Sequence, residues 1–169
     1  MLLDFLIKVD DFFLYICSLA LIASFILFRE FHSHTLTSLI VFTSESISEK
    51  IHTPLLNLTL ASEVNEGRLI WYGTWMIMAF IVVWLLYKGH EWLNISSSPV
   101  SDKIGKFFIA YASLQTLGYA DSFFFQSDFL DSVYRYGIAS ITVSVTLVLF
   151  WELIRVKANG RVIGHHVDG

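Results

Sequence analysis

The chain has one cysteine, Cys17, and two prolines, Pro54 and Pro99, in 169 residues. A single sulfur cannot close an internal disulfide, which excludes a four-helix thiol oxidase working through paired cysteines. Charge is also scarce: 15% of residues are Asp, Glu, Lys or Arg, where soluble domains carry roughly 25%. A glycine-rich phosphate loop, a serine nucleophile elbow and a zinc-protease helix are all missing. No motif points to nucleic acid, to a cofactor or to an enzyme.

Aromatic and aliphatic residues are abundant instead. A water-soluble domain of this length would expose fifteen Phe, seven Tyr and five Trp in large patches, whereas lipid accommodates them. Four stretches read as membrane spans of roughly 20 apolar residues each. The clearest is 69–87, bracketed by Arg68 and Lys88 and without a charge. The others are 12–28, 107–125 (interrupted by Gln115 and Asp121) and 136–154, whose only charge is Glu152. None shows the ten-residue alternation of a barrel strand. The expected fold is therefore all-α: one polytopic domain of four transmembrane helices. Asp4, Asp10 and Asp11 ahead of the first stretch, with Lys8 alone basic, make a poor signal-peptide leader, so this stretch is expected to remain as a helix.

Four spans put both termini on one side. That side carries Lys8, Lys88, Lys103, Lys106, Arg155, Lys157 and Arg161; the other carries Arg29, Lys50, Arg68 and Arg135. The positive-inside tendency places both termini in the cytoplasm, here of a bacterial inner membrane. The formal net charge of −4 then falls on the outer face. The long outer loop 29–68 carries an amphipathic pattern at Leu36, Ile40, Ile47 and Ile51 and a second at Leu56, Leu60 and Val64. Thr53-Pro54 looks like a cap with proline in the first helical position, so two short helices are expected, with Gly67 as a stop. The inner loop 88–106 is turn chemistry in which Ser101 or Asp102 caps the third span, and the tail 155–169 is first basic and then glycine-rich.

Polar groups within spans are the default pointers to function. Gln115 and Glu152 are the candidates, with the hydroxyls of Thr142, Ser144 and Thr146 as further pathway positions. The plainer readings are an interhelical hydrogen bond for Gln115, an ion pair with Arg155 for Glu152 and local bonds to helix carbonyls for the hydroxyls. Ala112, Thr116 and Ala120, and Ser140 with Ser144, repeat at four-residue spacing, which suits close helix packing. Trp71, Trp75, Trp92 and Trp151 fall near span boundaries, where indole rings favour the headgroup layer. Arg155, Lys157 and Arg161 are placed for a partner or anionic lipid. His32, His34 and His52 fall in the outer loop, His90 at a span end, and His165 and His166 in the tail, so no facing axial pair for haem is formed. His32-x-His34 with Glu30 reads as a surface pair, since positions two apart on a helix face different ways. The expected function is a non-enzymatic subunit, homo-oligomeric or bound to another membrane or cytoplasmic protein. The alternative is a homo-oligomeric channel or permeability-altering effector.

Overall fold

A computed structural model of the chain describes residues 2–27, 32–125 and 128–163, and the side chains of 13–27, 32–124, 130 and 132–155. The described residues form five α-helices and no strand: α1 (Leu2–Leu27), α2 (Ser33–Ala61), α3 (Val64–Trp92), α4 (Pro99–Ala120) and α5 (Asp128–Ile163). A π-helical turn, Asp121–Phe125, extends α4.

The region expected as an outer loop is a single helix. α2 is 29 residues long, as is α3, and Pro54 lies inside it rather than at a helix start. Only Ser62 and Glu63 join the two helices, so short a connection that they must lie antiparallel. Ser33 at the start of α2 bonds His90 near the end of α3, while His52 lies against Trp71 and Trp75. Contacts at both levels hold α2 along the length of α3. Packing on this scale outweighs the roughly 3 kcal/mol that an interior proline costs a helix. Gly67, expected as a stop, sits inside the first turn of α3, where a Cβ would come within 2.5 Å of the Thr59 carbonyl oxygen. It is glycine because α2 and α3 approach closely there.

The helices close into a ring: α1 packs on α2 and α5, α2 on α3, α3 on α4 and α4 on α5. Their buried core takes Cys17 and Ala20 from α1, Val41 from α2, Val82 and Leu86 from α3, Val100 and Ile104 from α4, and Val145 and Leu149 from α5. Most of these lie toward the end marked by His90; the opposite end is marked by Gly67. α1 runs antiparallel to α2, with Ser24 beside His34 and Cys17 within electrostatic reach of Glu45. α1 and α5 therefore run in the same direction, and the start of α1 and the end of α5 lie at opposite ends of the bundle.

Two helical segments, Val64–Trp92 and Ser132–Arg155, are long and apolar enough to cross a membrane, where hydropathy windows give four. The described apolar part of α1, Phe13–Leu27, is shorter. α2 and α4 have the length but not the composition. In α2 the reason is that much of its polarity faces inward: Ser33, His34, Thr35, Thr37, Ser38 and Ser44 are all buried.

The α3–α4 connection also differs from expectation. Ser98, not Ser101 or Asp102, caps α4: its hydroxyl accepts from the Ser101 amide at 3.3 Å, with Pro99 in the first turn. Asn94 takes the left-handed conformation (φ 51°) just beyond α3, a position that asparagine tolerates.

Two substitutions test this packing. Replacing Pro54 by Ala is expected to raise stability by about 1–3 kcal/mol, because it restores the amide bond that an interior proline removes. A neutral or destabilising result in reversible unfolding in detergent would fit a helix that starts at Pro54 instead. Gly67→Ala is expected to lower stability by about 1–3 kcal/mol through its collision with the Thr59 backbone.

Candidate functional site

The densest polar cluster forms at the first turn of α2. The Nε2 of His34 lies 3.1 Å from the Leu149 carbonyl oxygen of α5, so this nitrogen carries the hydrogen and donates. Its Nδ1 is 3.1 Å from the Ser24 hydroxyl of α1 and 3.3 Å from that of Ser38. Nδ1 therefore accepts; the Ser24 proton is shared between it and the Ala20 carbonyl of its own helix (2.9 Å), and Ser38 lies within donating distance of the same nitrogen. His34 is 5% exposed and Ser24 fully buried, so these bonds replace water for groups that would otherwise be costly to bury.

The neighbouring residue turns the other way. His90 donates from Nδ1 to the Leu86 carbonyl one turn earlier in α3 (2.5 Å), so its Nε2 accepts from the Ser33 hydroxyl at 2.6 Å. Ser33 in turn accepts from the Ser98 amide at 3.0 Å. Two successive side chains thus connect α2 to α1, α5, α3 and the start of α4. Glu152, one turn beyond Leu149, is near enough for its charge to act on His34. Thr35 and Thr37 flank the cluster with buried hydroxyls that lack a hydrogen-bond partner among the described residues. Both rings hold defined tautomers and orient helices; among the described residues no group of three His, Cys, Asp or Glu gathers as a metal site.

A second cluster lies toward the Gly67 end. Gln115, 1% exposed, accepts from the Tyr134 hydroxyl of α5 at 2.9 Å. Tyr72 of α3 meets the Ser122 hydroxyl at 3.1 Å, and Arg68 donates to the Ser122 carbonyl at 2.5 Å. Ser122 lies in the π-helical turn, where the wider winding disturbs the regular amide ladder and makes a carbonyl available to a guanidinium. The rings of Tyr72 and Tyr134 meet edge to face and fit over Gly118, where a Cβ would sit 2.8 Å from both.

The remaining candidate positions are spread over the bundle. Glu152 pairs with Arg155 at 3.6 Å. Thr142 and Thr146 bond the carbonyls one turn back, as does the half-buried Ser144. Ala112 is buried, while Thr116 reaches the Met76 sulfur of α3 and bonds the Ala112 carbonyl. Ala120 is half-buried and Ser140 exposed. α4 and α5 do pack on each other, but through Gln115 and Gly118 against Tyr134 and through Leu114 against Gly137. Trp75 is buried and Trp71 half-buried in an edge-to-face pair beside His52. Trp92 is exposed and pairs with Trp84, and Trp151 is exposed. The side chains of Lys157 and Arg161 lie outside the described residues, as does Glu30.

His32-x-His34 reads in the sequence as a surface pair; His32 is exposed, but His34 is buried because the first turn of α2 packs between α1 and α5. Ser24, Ser33, Ser38, His90 and Ser98 were not among the sequence candidates. The available signal was the run Ser33-His34-Thr35-Leu36-Thr37-Ser38, too polar for a lipid-facing turn and too regular for a loop. Comparison with protein-family models, curated proteins and solved structures finds no match to this chain.

The bonds at His34 are expected to couple energetically. His34→Ala is expected to cost about 2–4 kcal/mol, from the cavity and the orphaned hydroxyls, and Ser24→Ala about 1 kcal/mol. In a double-mutant cycle the pair is expected to deviate from additivity by about 0.5–2 kcal/mol, whereas simple additivity would mean that the ring and the hydroxyl do not act together.

Proposed function

We propose that the chain is a non-enzymatic, multi-pass subunit of a bacterial inner membrane that assembles laterally, with copies of itself or with another membrane protein, as a structural or signalling component. The supporting observation is exposed charge at mid-height. Glu49 and Lys50 are exposed on α2, one turn or less from His52, whose ring lies against Trp71 and Trp75 of α3. α3 is one of the two helices apolar enough to span, and that level is within its central apolar stretch. A charged side chain facing hydrocarbon there costs about 2.5–3.5 kcal/mol on insertion scales. Covering the face with another protein surface removes most of that cost.

In this reading all five helices lie within the membrane layer, α2 as a polar member of the bundle. Of the described basic residues, Lys88, Lys103, Lys106 and Arg155 lie toward the His90 end and Arg68 and Arg135 toward the other, with Lys50 at mid-height. The positive-inside tendency then directs the His90 end and the end of α5 to the cytoplasm, and the start of α1 to the opposite face. A second reading draws on the same face: Thr43 is exposed along with Glu49 and Lys50, and several copies arranged around it would line an aqueous path.

A cysteine at position 49 tests the assembly. Cys17 is buried, so Glu49→Cys introduces the reactive thiol. Oxidation in isolated membranes is expected to give a covalent dimer, or a mixed product with a co-expressed partner, while an exposed control such as Tyr136→Cys on α5 stays monomeric. Absence of any cross-linked product, with the thiol instead reacting as a lipid-exposed group, would sink the proposal. Ion leakage from liposomes holding the purified chain alone would favour the channel reading over the subunit reading.

A further inference from the structure

α3 and α4 pack closely toward the Gly67 end but leave a groove of about 410 Å³ between them toward the His90 end. Its wall is mostly apolar, with Val83, the buried Leu86 and the exposed Ile109, and takes in the buried His90 and Ser101; its rim holds Glu91, Asp102 and Lys106. From Val83 to Glu91 the groove runs about 12 Å along α3, at 1.5 Å per residue. One end is therefore hydrocarbon in character and the other ionic, and beside the ionic end stands the exposed Trp92, in contact with the Trp84 ring. Paired indoles of this kind mark a headgroup layer.

The rim carries both signs of charge, separated. Asp102 and Lys106 stand four residues apart on α4, a spacing that permits an ion pair, yet the two do not pair. Asp102 uses Oδ1 to accept from Ser97, and Glu91 uses Oε2 for Lys88, which leaves a second oxygen on each. Two carboxylates with available oxygens beside an ammonium complement a ligand that carries its own primary ammonium and a phosphate. Gly105 lies at the groove floor, and a Cβ there would meet nothing within 4 Å. The space is open, not collapsed.

We propose that this groove is a binding site for one phospholipid with a primary-amine, zwitterionic headgroup, a phosphatidylethanolamine. Its ammonium lies between Glu91 and Asp102, its phosphate on Lys106, and an acyl chain runs over Gly105 toward Ile109. The proposal rests on the membrane placement given above. Anionic lipid fits the rim less well: Lys106 can take its phosphate and Lys88 already holds Glu91, but it brings no ammonium for Asp102.

The test is lipid retention by the full chain, extracted from phosphatidylethanolamine-rich membranes in mild detergent and measured by native mass spectrometry with lipid extraction. The wild-type chain is expected to keep about one phosphatidylethanolamine per copy, and Gly105→Leu, which fills the floor, to lower this at least about five-fold. Ile109→Trp fills the same groove from an exposed position and serves if the glycine variant does not fold. Gly73→Leu, at an equally open glycine elsewhere, is expected to retain lipid. Asp102→Asn is expected to shift the retained lipid from phosphatidylethanolamine toward phosphatidylglycerol. Unchanged retention in both filled variants, a wild-type preference for phosphatidylglycerol, or loss of a second protein copy in place of lipid would each overturn the site. A chain that washes out of the membrane fraction overturns the membrane placement itself, whereas a chain that stays there without bound phosphatidylethanolamine overturns only the groove.

Discussion

The bundle depends on the first turn of α2. Ser33 and His34 are adjacent in sequence and face opposite ways, and between them they hold α1 through Ser24, α5 through the Leu149 carbonyl, α3 through His90 and the start of α4 through the Ser98 amide. Apolar packing is not directional, and helices joined by it alone can slide along one another at little cost. Hydrogen bonds with defined donors and acceptors remove that freedom, since a displacement of one residue leaves several buried groups unpaired, at about 1–3 kcal/mol each. The core residues Val41, Leu86, Ile104 and Leu149 supply the burial, and the Ser33–His34 turn fixes the register in which they meet.

That arrangement explains which parts of the fold were legible in the sequence. The apolar stretches 69–87 and 136–154 identified α3 and α5, because there hydrophobicity and outward exposure coincide. α2 was missed as a bundle helix for the converse reason: its first turns hide hydroxyls and an imidazole inside while its middle exposes Glu49 and Lys50. Hydropathy reports average composition and says nothing of which face a polar group occupies. Pro54 compounded the error. Its local signal is that of a helix start, and only the long contact of α2 with α3 overrides it. The interhelical role of Gln115 could be read from its place in an apolar stretch, but its partner Tyr134 lies before the apolar core of α5 and carried no mark of its own.

Losing the outer loop also changes the electrostatics. In the proposed placement, with α2 inside the layer, Glu49 and Lys50 are no longer loop residues in water but charges level with the apolar stretch of α3. Isolated charge at that depth is held by a partner of opposite sign, by water or by protein. The pair is of mixed sign, so two copies related by a two-fold axis can set Glu49 of one against Lys50 of the other, an isologous contact of the kind closed dimers use. In that proposal the residues that make α2 a poor lone membrane helix are the ones that form the interface.

Glycine placement on α4 connects the two ends of the bundle. At Gly118 the absence of a side chain lets Tyr72 and Tyr134 close over the helix, drawing α3, α4 and α5 together near the π-helical turn. Thirteen residues earlier, about three and a half turns at 3.6 residues per turn, Gly105 has no neighbour to admit. The first glycine is consumed by packing and the second leaves space. Helices pinned closely at one end and held at the other by a polar turn on α2 cannot collapse onto Gly105 without breaking either the aromatic contact or the Ser33–His90 bond. The α3–α4 groove is thus a consequence of how the bundle is tied.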